Sequence, residues 1–238
     1  MDYSDDFLSA LGQWQNGWAE DRARRLPIAV QLKRSIADLP GPLPKNELRP
    51  CYRKRFLVPN NQENGGDFVP LFRDGRIEEG LASWTTDLAF AKSFKSDLRI
   101  GQIMTVFECQ PTHEIVLVDF PALWSDGAFV ESVKAYSAKG GPHAAALENF
   151  RATQFEVILS ASLLAESIVA FGGPVSSADE IAKSGGIEDL ETIEALEDAM
   201  NVNRIYRGNL RWVEGKAAQR VFSNAAAKIA TRFGPPSP

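Results

Sequence analysis

Histidine and cysteine are nearly missing from this chain, with two of each in 238 residues. Cys51 and Cys109 lack CxxC spacing and lie in apolar, strand-like runs. They make neither a zinc site nor a disulfide framework, and read as small buried hydrophobes in a reducing compartment. His113 follows Gln-Pro-Thr and His143 follows Gly-Gly-Pro, both turn-like contexts in which a histidine is ordinarily solvated. No cluster of His, Cys or carboxylates has ligand spacing, so no metal is expected. A Gly-x-Ser-x-Gly elbow and a glycine-rich loop ending in Gly-Lys-Ser/Thr are both lacking, which disfavours serine hydrolases and phosphate-loop NTPases. No apolar run reaches the roughly 20 residues that cross a bilayer. The first residues, MDYSDDFLSALGQW, are acidic where a secretory signal is basic. A cytoplasmic protein, or one delivered into another cell, with no membrane partner, is expected. Excess positive charge is lacking too: the net charge of -5 argues against a protein whose main task is coating nucleic acid, while leaving room for a local basic groove.

What is present is an ordinary globular composition, 44% apolar and 24% charged, in a chain long enough for a sizeable core. Residues 1–47 read as a helical segment: Leu8, Leu11, Trp14 and Trp18 recur on one helix face, and Ile28 to Leu39 forms a second helix. LPGPLPKNELRP, with four of the fourteen prolines, is a connector. Residues 48–173 change texture to short apolar runs. CYRKRFLV, LASWTT, QIMTVFECQ, EIVLVDF, QFEVIL and the run ending AFGG read as strands, and Thr86 or Asp87 caps a helix over DLAFAKSFK. Residues 174–238 are helical again. Eight acidic residues and one lysine fall between Asp179 and Asp198, then seven Lys or Arg and one Glu between Arg204 and Arg232. These describe two solvated amphipathic helices that pair with each other, or a basic appendage for an acidic partner or nucleic acid.

QFEVIL poses the sharpest question. An unpaired buried carboxylate is costly, yet Gln154 and Glu156 occupy alternate positions of an apolar strand, sharing one face about 7 Å apart. That face is a site, a surface or an ion cluster. Three strand-borne motifs stand in order: CYRKR, SWTT followed by a helix, and QFEVIL. This order resembles the mono-ADP-ribosyltransferases of the arginine, Ser-x-Ser/Thr, glutamate class, over roughly Leu48 to Phe171. By that resemblance the arginine is Arg53, with Arg49 and Arg55 as rivals because register is open. The serine motif is Ser83 and Thr85, and the Gln-x-Glu pair is Gln154 and Glu156. Lys54 departs from the glycine common at that position in the family.

The resemblance implies an α+β fold, with a pair of small mixed or antiparallel sheets around an NAD cleft, flanked by N- and C-terminal helices. NAD is the co-substrate. Cleaving its nicotinamide bond develops an oxocarbenium-like ribose, which Glu156 stabilises as the charge appears. Arg53 holds a phosphate or ribose of the cofactor, a duty suited to a planar bidentate donor. Ser83 orients Glu156, and Thr85 shapes the nicotinamide end. Gln154 faces the acceptor; in the family, Gln-x-Glu goes with asparagine or glutamine in proteins or guanine in nucleic acids. Phe150 either stacks on the acceptor or packs in the core. The expected function is transfer of ADP-ribose to a macromolecule, nucleic acid slightly before protein, in a bacterial toxin, effector or phage-defence protein with an antitoxin or immunity partner. The alternatives are an NAD glycohydrolase and a non-enzymatic binding module on the same scaffold.

Overall fold

A computed structural model describes residues 3–17, 22–58, 66–94, 103–149, 151, 155–174, 176–184, 186–205 and 208–234. In chain order the elements are α1 (Asp5–Asn16), α2 (Arg22–Ala37), β1 (Cys51–Leu57), β2 (Arg76–Ile77), β3 (Leu81–Thr85), α3 (Leu88–Ser93), β4 (Ile103–Cys109), β5 (Val116–Asp119), α4 (Phe120–Ser125), α5 (Gly127–Ala138), β6 (Glu156–Ser160), β7 (Leu163–Leu164), β8 (Ile168–Pro174), α6 (Ala178–Ser184), α7 (Leu190–Val202), β9 (Leu210–Glu214) and α8 (Gly215–Phe233). The protein is mixed α+β, and the strand pairs β1–β3, β3–β6, β5–β6, β4–β8 and β8–β9 are all antiparallel.

The chain divides into two units, the first comprising Met1–Arg53, Glu78–Phe94 and Glu108–Leu163. Its strands lie in the order β5, β6, β3, β1, with Thr85 opposite both Glu156 and Tyr52. Aspartates start α3, α4 and α5: Asp87 accepts from the Phe90 amide, Asp119 from Ala122 and Asp126 from Ala128, at 2.9 to 3.0 Å. Each carboxylate satisfies an orphan N–H and opposes the positive helix end, so β3 and β5 give way abruptly to α3 and α4, and α4 to α5. Asp87, of the two caps the sequence offers, is thus the one used.

Helix α1 is capped by Ser4 and presents Phe7, Leu8, Leu11 and Trp14, all buried, to a core shared with Leu32, Phe129 and Ile158. The three- and four-residue spacing accounts for this face; Trp18 lies outside the described residues. Gly12 permits a close approach: a Cβ there would stand 2.5 Å from the His143 carbonyl oxygen, so α1 lies against the turn that leads into Ala144–Glu148. Detaching α1 would expose four large apolar side chains. At about 1.5–3 kcal/mol each, that is of the order of a whole domain's stability, so α1 is a fixed wall of this unit.

The second unit comprises Lys54–Ile77, Lys95–Phe107 and Leu164–Pro238. Here β8 lies between β4 and β9, and α8 covers β8. Phe72 stacks near Phe171 and Phe222, with ring centroids 6.4 and 5.5 Å away. The basic helix α8 packs on β8 and β9, while the acidic helix α7 packs on α6. The pairing of acidic with basic helix is therefore not the packing that organises this region, and α8 keeps an exposed polar face. Leu210–Glu214, expected to be helical, is strand β9: its register with β8 places Trp212 over Gly172, where a Cβ would meet the indole at 2.8 Å.

Candidate active site

Glu156 opens β6, is 7% exposed, and pairs directly opposite Thr85 of β3. Directly opposed residues share a sheet face, and so do residues two apart on one strand. Ser83, Thr85 and Glu156 therefore converge from two strands. The expected alternation from Gln154 does not extend through Phe155. That residue has φ 44, in the left-handed region, so the chain turns into the strand at Glu156 instead of running straight through. Gln154 and Phe150 lie outside the described residues.

The burial of Glu156 is met by hydrogen bonds. Gln15 Nε2 donates to Oε2 at 2.6 Å, and Trp14 Nε1 donates to Oε1 at 3.2 Å. The same indole N–H reaches Ser83 Oγ at 3.2 Å, and the Ser83 hydroxyl is hydrogen-bonded to the carboxylate. Desolvation raises the Glu156 pKa above its ordinary value; the bonds from Ser83, Gln15 and Trp14 and the charge of Arg53 act the other way.

Arg53 selects itself from the three arginines of its region by contact. Its Nη1 donates to the Ser83 carbonyl at 2.7 Å and its Nη2 to Glu79 Oε2 at 2.6 Å. Arg55 instead pairs with Asp67 at 3.0 Å, within the second unit. Glu79, its side chain wholly buried, also receives Arg25 at 3.1 Å, and Arg25 bonds the carbonyls of Glu79 and Leu81. The guanidinium of Arg53 is thus committed to holding β1 against β3, and its buried Nε has no partner. Thr85 Oγ1 accepts from the Asp87 amide at 3.1 Å, tying the strand end to the start of α3.

A hollow beside Glu156, of about 10 Å³, is lined by Gln15, Phe120, Pro121, Asn149, Arg151 and Phe155. It holds about one water. On its open side Phe155 is 50% exposed, and Arg151 lies 4.0 Å from the Trp124 ring centroid with an ion pair to Glu148 at 3.2 Å. On the second unit Lys54 sits 5.4 Å from the ring centroids of both Phe56 and Trp212, and burial lowers its pKa to about 8. Burial pushes the Cys51 thiol up to about 12, so it is no thiolate nucleophile at neutral pH.

Among the described residues no group of three His, Cys, Asp or Glu is placed to hold a metal, and no helix is long and apolar enough to cross a membrane. Chemically, the arrangement supplies a fixed carboxylate in a low-dielectric setting, backed by a hydroxyl and near a guanidinium. Such a group is suited to stabilising a cation beside it. Four participants escaped the reading from sequence: Trp14, which was placed only on a core face, and Gln15, Glu79 and Arg25. The local signal for Gln15 is slight, a polar residue beside the apolar stripe of α1. Comparison of the chain with protein-family models, with curated proteins and with solved structures finds no match.

Proposed function

We propose that the protein is a mono-ADP-ribosyltransferase that cleaves NAD and passes ADP-ribose to a macromolecular acceptor. One observation carries this reading: Glu156, Ser83 and Arg53, three motif residues far apart in the chain, meet in one cluster with the carboxylate at its centre. The neighbouring strands β6, β3 and β1 carry the three residues. In the reaction the bond between the ribose anomeric carbon and the nicotinamide nitrogen breaks, and its electron pair leaves with nicotinamide. The ribose becomes cationic, and Glu156 stabilises it while hydrogen bonding a ribose hydroxyl. The acceptor then attacks the anomeric carbon and gives up its proton. Ser83 orients the carboxylate, and Thr85 borders the nicotinamide end. Arg53 acts through its charge and through the strand geometry it fixes. Gln154 faces the acceptor by the motif alone.

A dinucleotide needs a pocket of several hundred Å³, so NAD entry requires the small hollow to widen. With α1 fixed, the side that yields is the exposed one carrying Asn149, Arg151 and Phe155. Arg151 is then the exposed cation best placed for an anionic oxygen of the cofactor.

A nucleic-acid acceptor is favoured by α8. It carries Lys216, Arg220, Lys228 and Arg232 and no acidic residue, and Lys216, Gln219, Arg220, Ser223 and Asn224 line an open hollow of about 460 Å³. Cations interleaved with amides and a hydroxyl suit a phosphate backbone. Such an activity inside a bacterial cell fits a toxin or phage-defence role with a neutralising partner. The test is incubation with NAD labelled in its ADP-ribose moiety and separate pools of RNA, DNA and protein, with Glu156→Gln as control. Label entering nucleic acid, lost in the control, supports the reading. Label only in free ADP-ribose identifies a glycohydrolase, and an intact NAD pool with every acceptor identifies a binding module.

A further inference from the structure

Both oxygens of the carboxylate at the centre of the site are held by a helix that lies outside the three motifs. We propose that Trp14 and Gln15 are positioning residues that orient the Glu156 carboxylate, so that α1 is part of the catalytic machinery. This rests on the reading of Glu156 as the group that faces the ribose.

The geometry separates the two donors by function. Gln15 Nε2 meets Oε2 at 2.6 Å, and Trp14 Nε1 meets Oε1 at 3.2 Å while also touching Ser83 Oγ. Each oxygen is thereby assigned, which fixes the carboxylate plane. A carboxylate offers about four lone-pair sites, so Oε2 keeps capacity for one further donor, such as a ribose hydroxyl. Gln15 and Trp14 are themselves buried, at 7% and 2% exposure, and α1 is anchored by Phe7, Leu8 and Leu11. The donors therefore sit on a rigid element, which is what precise orientation of a reacting group demands. A plug that must leave before substrate binds would not be built on a helix so deeply anchored.

Among the described residues, the groups facing Glu156 are few. From α1 come the neutral donors Trp14 and Gln15, and from β3 the neutral Ser83 and Thr85. From α4 come Phe120 and Pro121. The charged groups among the described residues are Arg53 of β1, and Arg151 at the far side of the hollow. Burial favours the neutral acid and the Gln15 and Trp14 bonds favour the anion. Removing a donor therefore raises the pH at which Glu156 ionises.

The experiment measures the pH dependence of kcat and kcat/KM for NAD cleavage in the wild type, Gln15→Leu, Trp14→Phe and Gln15→Lys, with thermal melts to monitor folding. In parallel, the carboxyl infrared band of Glu156 is titrated by difference against Glu156→Gln. Gln15→Leu is expected to lower kcat about 10- to 100-fold, as loss of an outer partner of a catalytic group does. Its acidic limb, and the infrared midpoint, should move to higher pH. Gln15→Lys, which restores a donor at the same place, should bring the limb back to or below that of the wild type. Trp14→Phe should act in the same direction as Gln15→Leu. An active wild type whose folded Gln15→Leu variant keeps both its kcat and its limb overturns the positioning role alone. Should Gln15→Leu fail to fold, an unmoved limb and band in a folded Trp14→Phe overturn it. A wild type that leaves NAD intact overturns the underlying reading, whatever the infrared band does.

Discussion

Arg53 Nη2 and Glu79 Oε2 are 2.6 Å apart, and the same carboxylate oxygen lies 3.1 Å from Arg25 Nη2. A wholly buried carboxylate held by two guanidiniums is a committed arrangement. Removing it leaves two nearly buried cations facing each other, and breaking a buried pair from one side costs about 3–5 kcal/mol. Because the guanidiniums keep 12% and 16% exposure, the lower end of that range is expected for Glu79→Ala. Chemical denaturation should show a lower midpoint with an unchanged m-value. A loss under 1 kcal/mol would mean that the cluster is not a structural pivot.

Glu156→Gln should separate stability from activity. The Glu156 pKa is raised in the folded state, chiefly by desolvation. For such a group the folded state is favoured below the unfolded-state pKa, and that advantage is lost as pH rises through the folded value. At pH 8, above the ordinary carboxylate range, the wild type bears the cost of the raised pKa and the glutamine does not, while the Gln15 amide is able to flip to match it. The variant should melt at or above the wild-type temperature at pH 8, with the difference shrinking as pH falls toward the ordinary carboxylate range. Its NAD cleavage should fall by about 10²–10³ or more, the scale of losing a transition-state electrostatic partner. A variant less stable at pH 8 than at pH 5, relative to wild type, would contradict the sign.

Much of this was legible in the sequence because it depends on local chemistry. The strands carrying Arg53, Ser83 and Glu156 announce themselves by short apolar runs between turn residues, and the α3 start by Asp87. The convergence of the three residues follows from pairing β3 with β1 and β6. What was not legible depends on long-range packing. Gln15 meets its partner 141 residues away, so nothing near it in the chain marks it as part of the site. Glu79 sits beside Glu78, and only the fold decides which enters the core. Phe155 takes a left-handed backbone, for which a phenylalanine gives no signal, and that turn replaces the simple alternation expected before Glu156. Leu210–Glu214 is short and mixes apolar with charged residues without a strict period, which suits a helix edge or a strand until β8 is there to pair with it.

The left-handed backbone at Phe155 costs about 1–2 kcal/mol for a residue with a Cβ. Phe155→Gly removes that cost and sacrifices little packing, since the ring is half exposed. Its melting temperature should stay level or rise by about 2–4 °C. Phe155→Val, β-branched at a positive φ, should melt lower. If both variants melt lower by the same amount, ring contacts and not backbone strain govern this position.

Arg151 lines the hollow beside Glu156 and is held over Trp124, yet remains 44% exposed. A cation used to hold the cofactor in ground state and transition state alike changes KM with little effect on kcat. Arg151→Ala should therefore raise the KM for NAD roughly tenfold, with kcat within about a factor of two, as one charge-assisted hydrogen bond of about 1.5 kcal/mol implies. A fall in kcat with KM unchanged would place Arg151 at the reacting centre instead.

The polar face of α8 tests the nature of the acceptor. Lys216 and Arg220 stand one turn apart on an exposed face with Gln219, Ser223 and Asn224. If that face follows a phosphate backbone, replacing both cations removes two contacts that displace counterions. Each contributes about 0.7–0.9 to the slope of log affinity against log salt. Lys216→Ser with Arg220→Ser should therefore flatten that slope by roughly 1.4–1.8 and weaken binding at low salt across sequences. Both side chains are solvent-exposed, so the melting temperature should hold. Fluorescence anisotropy with labelled single-stranded RNA and DNA over a salt series reads the slope directly. An unaltered slope would move the proposed acceptor from nucleic acid to protein without bearing on the chemistry proposed for Glu156.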